Sequence, residues 1–479
     1  MTQPRPIPFQ QAPVRALGLA VWLLSSAAGA QTLSELVAQA RGFDAQWQAQ
    51  QADARAASSR ADQALSGLLP SVGLQAGANR THVDLHVSGA LPATMRVPGS
   101  MNTSQQNLQL SAQQPLYRPA NRIAYEQGQR GLDAAQAQLD SAAQGLIVRV
   151  AQAYFDVLAA QDSLSVARAQ KKAIAQQLAS AQRNFEVGTA TITDAREAQA
   201  RFDLIAAQEI AADNDLQVKR VALDQLVGRT GAQPTPMAKP VTLPALQPAG
   251  MQAWVDTALG NQPRIRQAQL ALDIAKLDIQ KAQAGHKPTV DLQAGYQVNR
   301  YPDGSMTPAI PLGYRTHAAS IGVVMNMPLF AGFAVQNRVK ETVALEEKAQ
   351  AQLQDTRRNV EQATRTAFLG VQSGRAQVKA LEAALASSES ALEANKTGYE
   401  VGVRINIDVL NAQSQVYQTE RDLANARYQV LLGQLKLRQA AGVLNDDDLR
   451  SIDALTMAPA IASNAAAPLP KAQAKPVKH

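Results

Sequence analysis

Asp194 and Asp408 are the carboxylates whose setting suggests a shared task. Each closes a stretch of one design, Phe185-Glu-Val-Gly-Thr-Ala-Thr-Ile-Thr-Asp194 and Tyr399-Glu-Val-Gly-Val-Arg-Ile-Asn-Ile-Asp408. A carboxylate at such a helix start is favoured by the helix dipole. That chemistry is electrostatic, not covalent. The chain has no Gly-x-Ser-x-Gly, no phosphate-binding Gly-x-x-x-x-Gly-Lys-Ser/Thr and no His-Glu-x-x-His. His82-Val-Asp-Leu-His86 puts alternate residues on one strand face, a spacing compatible with a metal. Its place at the exposed end of a hairpin favours a solvated loop. Asp446 to Asp448 read as a solvated acidic turn. The expectation is no enzyme, no metal and no cofactor.

Gly188 and Gly402 lie 214 residues apart. At that shift, without a gap, Val187 meets Val401, Ala198-Gln199 meets Ala412-Gln413, and Gly228 meets Gly442. This is an internal repeat. Each Val-Gly interrupts a long helical pattern that resumes at once. Glycine tolerates the left-handed backbone of a tight helix reversal. Each copy therefore reads as the tip of a helical hairpin.

The elements that carry these tips follow from composition and period. Among 479 residues 46% are hydrophobic but only 4% aromatic, which suits long, closely packed helices better than one large globular core. The net charge is +7, yet no basic patch interleaves with aromatics, so nucleic acid is not an expected partner. There is no cysteine, hence no disulfide and no lipid-anchor cysteine. Arg5 and Arg15, the apolar run Ala16–Leu24 and Ala28-Gly-Ala30 read as an export signal over 1–30. No later run is apolar enough for a membrane helix, so any crossing must use β-strands.

Repeat 1 spans 31–229, with a helix over 32–67, a β-hairpin over 71–114 and a helical hairpin over 118–228. A proline-rich linker covers 230–249. Repeat 2 spans 250–443, with a helix over 251–285, a β-hairpin over 289–327 and a helical hairpin over 331–442. The tail, 444–479, reads as loop and then disorder. Val72, Leu74, Ala76 and Ala78 alternate with glycine, glutamine and asparagine; Leu108, Leu110 and Ala112 do the same. So do Val290, Leu292, Ala294, Tyr296 and Val298, and then Ile321, Val323, Met325 and Met327. A strand of about ten residues with one apolar face matches a tilted bilayer crossing. A half-buried soluble sheet alternates in the same way. The export signal and the long helical arms favour the membrane.

Leu132, Leu139, Leu146 and Ala153 recur every seven, and Leu164, Ala167, Ile174, Leu178 and Ala181 continue the seam. Each half reads as a two-stranded helical stalk. Gly370-Val-Gln-Ser-Gly374 fits a membrane helix-pairing motif, but its helix is charged and the motif is discounted. Four strands cannot close a barrel, so copies must join. Three give twelve strands and a water-wide pore; two give eight, which side chains fill.

The paired Tyr/Phe-x-Val-Gly tips, Leu69-Pro70, Pro115-Leu-Tyr117, Pro328-Leu-Phe330 and Ala424-Asn-Ala-Arg-Tyr428 resemble the TolC family. The likeness covers nearly all of 31 to about 449. It implies a homotrimeric outer-membrane barrel joined to a periplasmic helical barrel, a passive duct for type I secretion or drug efflux. The implied partners are a periplasmic adaptor, an inner-membrane ABC or RND-type pump and outer-membrane lipid. The missing anchor cysteine points to the unlipidated branch. Asp408 matches a constricting aspartate, and Asn411 stands where the family has a second. Tyr399 and Arg404 match a latch to Thr193 and Asp194 of a neighbouring outer hairpin. Val187, Gly188, Val401 and Gly402 match the adaptor-binding tips. The alternative is a periplasmic coiled-coil scaffold or adaptor with no pore.

Overall fold

The structure, a computed structural model, describes residues 30–84, 86, 88, 99–238, 241, 243–303 and 312–456. The expected export signal, save Ala30, and the tail beyond residue 456 lie outside the described residues. In chain order the elements are α1 Leu33–Phe43, α2 Ala45–Ser66, β1 Ser71–Asp84, β2 Ser100–Tyr117, α3 Pro119–Glu186, α4 Ile192–Val227, α5 Met251–Asn261, α6 Pro263–Gln283, β3 Thr289–Tyr301, β4 Tyr314–Asn326, α7 Ala334–Glu400, α8 Asn406–Ala440 and α9 Asp446–Asp453. With 68 and 67 residues, α3 and α7 are rods of about 100 Å.

Several expectations need correction. The single helices expected over 32–67 and 251–285 are each broken. Asp44 ends α1 and caps α2, accepting from the Trp47 amide at 2.6 Å. Gln262 does the same between α5 and α6, where Pro263 at the first helical position has no amide to lose. The hairpin link expected near 81–103 is shorter, because β1 runs to Asp84 and β2 starts at Ser100. The halves are not independent stalks: α3 lies against α6 and α8 as well as α2 and α4. Of the two discounted glycines, Gly374 does pack against a neighbouring helix, whereas a Cβ on Gly370 would meet nothing within 4 Å. A Cβ on Gly374 would stand 2.9 Å from Val430, and one on Gly433 3.3 Å from Val371, so each valine fills the other helix's gap.

The stretch after Gly442 is neither a solvated turn nor disordered through residue 456. Asn445 and Asp448 form a capping box that starts α9, and Leu449 and Ile452 are buried. Asp446 grips Arg41 with two bonds of 2.9 and 2.5 Å; this bond to Arg41 holds its carboxyl below the usual range. Burial pushes Asp448 up, although Arg438 lies 2.7 Å away. Asp453 accepts from the first amides of α1, Leu33 at 2.9 Å and Ser34 at 3.3 Å. Asp453→Ala should therefore cost about 1–2 kcal/mol, as loss of a helix N-terminal acceptor does. A fall in the denaturant midpoint with unchanged slope would confirm it.

The largest core lies around the middle of α3. There Leu33, Leu36 and Val37 of α1 meet Tyr154, Phe155 and Leu158, Leu431 and Leu435 of α8, and Leu449 and Ile452 of α9. Ala232 and Met237, from the expected linker, are buried in the same cluster. Tyr154 donates to the Thr235 carbonyl at 2.8 Å, and Tyr428 to Asp162 at 2.5 Å. Burial pushes both phenols well up, so they remain donors.

The sheet order is β1-β2-β3-β4, all antiparallel. Register aligns the faces across all four strands. One row is Val72, Ala112, Ala294 and Ile321; the next is Leu74, Leu110, Tyr296 and Ala319. The intervening row on the other face is Gly73, Ser111, Gly295 and Ser320. The apolar face is bare: Val72 is 70% exposed, Ile321 78% and Met325 66%. Among the described residues β1 and β4 each pair on one side, with β2 and β3 respectively, and their outer edges carry no further strand. Among the described residues no helix is long and apolar enough to cross a membrane. At the helical end of the sheet, Arg118 grips Asp291 with bonds of 2.7 and 2.6 Å, tying the start of α3 to β3.

Candidate functional site

The two Val-Gly tips have the same backbone construction. Val187 and Val401 both sit at φ −89° and ψ 2°. Gly188 and Gly402 follow at φ 76° and 78°. Gly188 donates to the Phe185 carbonyl and Thr189 to Asn184, at 3.0 and 2.8 Å. Gly402 and Val403 repeat this with Tyr399 and Gly398, at 3.1 and 2.9 Å. This pair of bonds is the Schellman closure, which needs a left-handed residue just past the helix end. The tips leave apolar side chains in solvent: Val187 is 72% exposed, Val401 69% and Val403 75%.

The helices leaving the tips start differently. In α4, Thr191 and Asp194 form a reciprocal capping box. One Asp194 oxygen accepts from the Thr191 amide at 3.0 Å and its hydroxyl at 2.8 Å. In α8 the cap position is Ile405, which supplies no side-chain acceptor. Asp408 occupies the first turn there, and Arg404 reaches it at 3.6 Å. The arginine stem lies across Gly398, where a Cβ would come within 2.7 Å of its Cγ.

Among the described residues Arg404 is directed to Asp408 and Asp194 to Thr191. Thr193 is exposed and Tyr399 half-buried. Asn411 is engaged instead: its Oδ1 accepts from Nη2 of Arg201 on α4 at 2.8 Å. A second tie runs from Gln177 of α3 to Oδ1 of Asn406, which is 1% exposed. A third, of 3.5 Å, joins Tyr417 to the Ala169 carbonyl. Sequence reading missed Arg201, Gln177 and Asn406. Arg201 and Asn411 are 210 positions apart, and no local pattern marks them as partners.

Higher up, α3 and α4 are held by Lys171 and Arg168, which reach Glu209 at 2.9 and 3.2 Å. The bond from Lys171 holds that carboxyl below its usual range. At the opposite end of the molecule His82 meets Asn102 at 2.7 Å and Asp84 at 3.2 Å. Among the described residues no group of His, Cys, Asp or Glu is arranged to hold a metal. The arrangement offers electrostatics and docking surfaces at the tips, and a bare apolar belt on the sheet.

The outer membrane efflux protein family model matches residues 36–229 and 254–443. The outer membrane protein TolC of Vibrio cholerae is 31% identical over 91% of this chain and 96% of its own length. The alkaline protease secretion protein AprF of Pseudomonas aeruginosa is 32% identical over 72% of this chain and 71% of its own. Among solved structures, the outer membrane protein VceC of Vibrio cholerae aligns with a TM-score of 0.72 at 21% identity, over 86% of this chain and 96% of that one. The chain belongs to the outer membrane efflux protein family and is an efflux or secretion duct of the Gram-negative outer membrane.

Proposed function

We propose that three copies of this chain close one twelve-stranded barrel in the outer membrane, with their helices forming a periplasmic tunnel. One observation carries this reading: an aligned, bare apolar face on a sheet whose two edges are open. Lipid does not tolerate open edges, and four strands are too few to close. Eight strands would be filled by their own side chains, whereas twelve leave room for water. A pore-free periplasmic scaffold would leave the apolar belt without a use. The test is heat-modifiable migration of the membrane-extracted oligomer, with single-channel recording in planar bilayers. A folded trimer without conductance would sink the proposal.

The duct itself spends no energy. It receives cargo for type I protein secretion, drug efflux or both, from an inner-membrane pump of ABC or RND type. A periplasmic adaptor meets the exposed Val187-Gly188 and Val401-Gly402 tips. The first turn of α8 forms the gate. Asp408 carboxylates from three copies converge and attract cations. Asn411 makes this ring less negative than two carboxylates would, and Arg201 bonds to that amide. Arg404 and Tyr399 latch to Thr193 and Asp194 of the neighbouring outer hairpin.

Asp408→Asn should weaken block of the current by multivalent cations. Arg404→Ser removes an exposed pair worth about 0.2–1 kcal/mol, so the open fraction should rise roughly 1.4- to fivefold. Currents unchanged in both variants would remove the gate assignment and leave the duct standing.

A further inference from the structure

We infer that the outer rim of the sheet carries a binding site for phosphorylated lipid headgroups, built from Arg300 and Arg315 with Arg80 beside them. The inference rests on the membrane reading of the sheet.

The strands pair without a bulge toward the hairpin ends, so side-chain direction can be followed outward row by row. The last wholly apolar triplet, Ala76, Leu108 and Val298, shares its row with His317. The next row on the same face is Ala78, Gln106, Arg300 and Arg315, and beyond it comes Arg80 with Ser104. All three arginines are exposed. From Val290 to Val298 the apolar face runs about 27 Å along the strand. At a tilt near 40° that is roughly 20 Å of height, close to the apolar band of such barrels. The arginine row lies one step further out, at headgroup level. It is also at the end away from the helices, hence on the outer leaflet.

Arg300 and Arg315 are direct cross-strand partners. Like charges placed opposite each other on one face repel. Among the described residues the sheet's own ion pairs are Arg118–Asp291 and His82–Asp84, so neither arginine has a carboxylate. Two guanidinium forks side by side match phosphate oxygens, which accept bidentate bonds. A phosphate between them turns repulsion into attraction. The long arginine stems lie along the apolar rim while the heads reach the polar layer. Tyr296 and His317, bonded at 2.9 Å, continue the polar contact just below. The occupant is therefore a lipid, whose chains cover the belt while its phosphate meets the arginines; a free anion would use only half of this surface.

The test titrates the detergent-purified oligomer with a bisphosphorylated diglucosamine lipid, with the same lipid stripped of phosphate, and with inorganic phosphate. Bound lipid is read by native mass spectrometry. The wild type should prefer the phosphorylated lipid, and Arg300→Gln/Arg315→Gln should lose roughly tenfold to thirtyfold of that affinity. Equal binding by the variant, equal binding of the two lipids, or competition by inorganic phosphate at the lipid's own concentration would each overturn the site. If the double variant does not assemble, the wild-type comparison of the two lipids decides. Conductance recorded on the same samples separates the readings: a conducting oligomer indifferent to the phosphates loses the site but keeps the duct.

Discussion

Ile321→Arg should abolish insertion of the protein into the outer membrane, while Ser320→Arg, one residue away, should insert and conduct. The two side chains leave the same strand on opposite faces. Ile321 shares its row with Val72, Ala112 and Ala294, near the middle of the apolar belt, and is 78% exposed. Ser320 shares its row with Gly73, Ser111 and Gly295. An arginine at mid-height on a lipid face costs about 2–4 kcal/mol per chain, and about 6–12 kcal/mol if three chains share one barrel. That is comparable with the whole stability of a typical domain. On the water-facing row the same charge stays hydrated and only biases the pore toward anions. Outer-membrane fractionation and reversal potentials read the two outcomes. In a soluble sheet, both positions are already exposed and both substitutions would be harmless; that result would reject the membrane assignment of the belt.

The strands were legible because both faces are open, so period-two alternation appears without interruption from Val72 to Ala78 and from Val290 to Val298. The long helices were legible from their seven-residue seam, and the tips from Val-Gly. The helix breaks at Asp44 and Gln262 were harder, because alanine and glutamine continue on either side. Their signals were nevertheless present: Asp44 three residues before Trp47, and Pro263 at a helix start. The helix after Gly442 was hidden by its acidic run. Asn445 and Asp448 have capping spacing, and Leu449 and Ile452 share a face, but three successive aspartates read as solvent. The cross-hairpin ties were beyond sequence reading. Arg201 meets Asn411 only because four helices converge near the tips, and neither residue breaks a local pattern.

Gly442→Ala should destabilise the chain far more than Gly402→Ala, although both glycines lie at helix ends with the same handedness. Gly442 has φ 73° and Gly402 φ 78°. Both variants incur the left-handed cost of a side chain, about 1–2 kcal/mol. Around Gly402 nothing stands within 4 Å of where the new methyl would sit, so the cost ends there. At Gly442 a Cβ would be 2.6 Å from Cα of Gln262 and 2.7 Å from the Asn261 carbonyl oxygen. Those atoms are backbone at the α5–α6 break, and they cannot swing aside. Gln262 is itself anchored, donating at 3.0 Å to the carbonyls of both Gln439 and Ala440. Gln144 donates to the Gly442 carbonyl at 3.1 Å. Forcing these segments apart adds about 1–3 kcal/mol of overpacking, for a total of about 2–5 kcal/mol. Gly228, the position matching Gly442 in the first half, should fall between the two. There the obstruction is the ring of Phe43, a side chain 55% exposed and able to turn outward. Denaturant midpoints of the three variants should therefore rank Gly402→Ala above Gly228→Ala above Gly442→Ala. Equal midpoints would mean that left-handed strain alone governs these sites and that the helix break does not bear on Gly442.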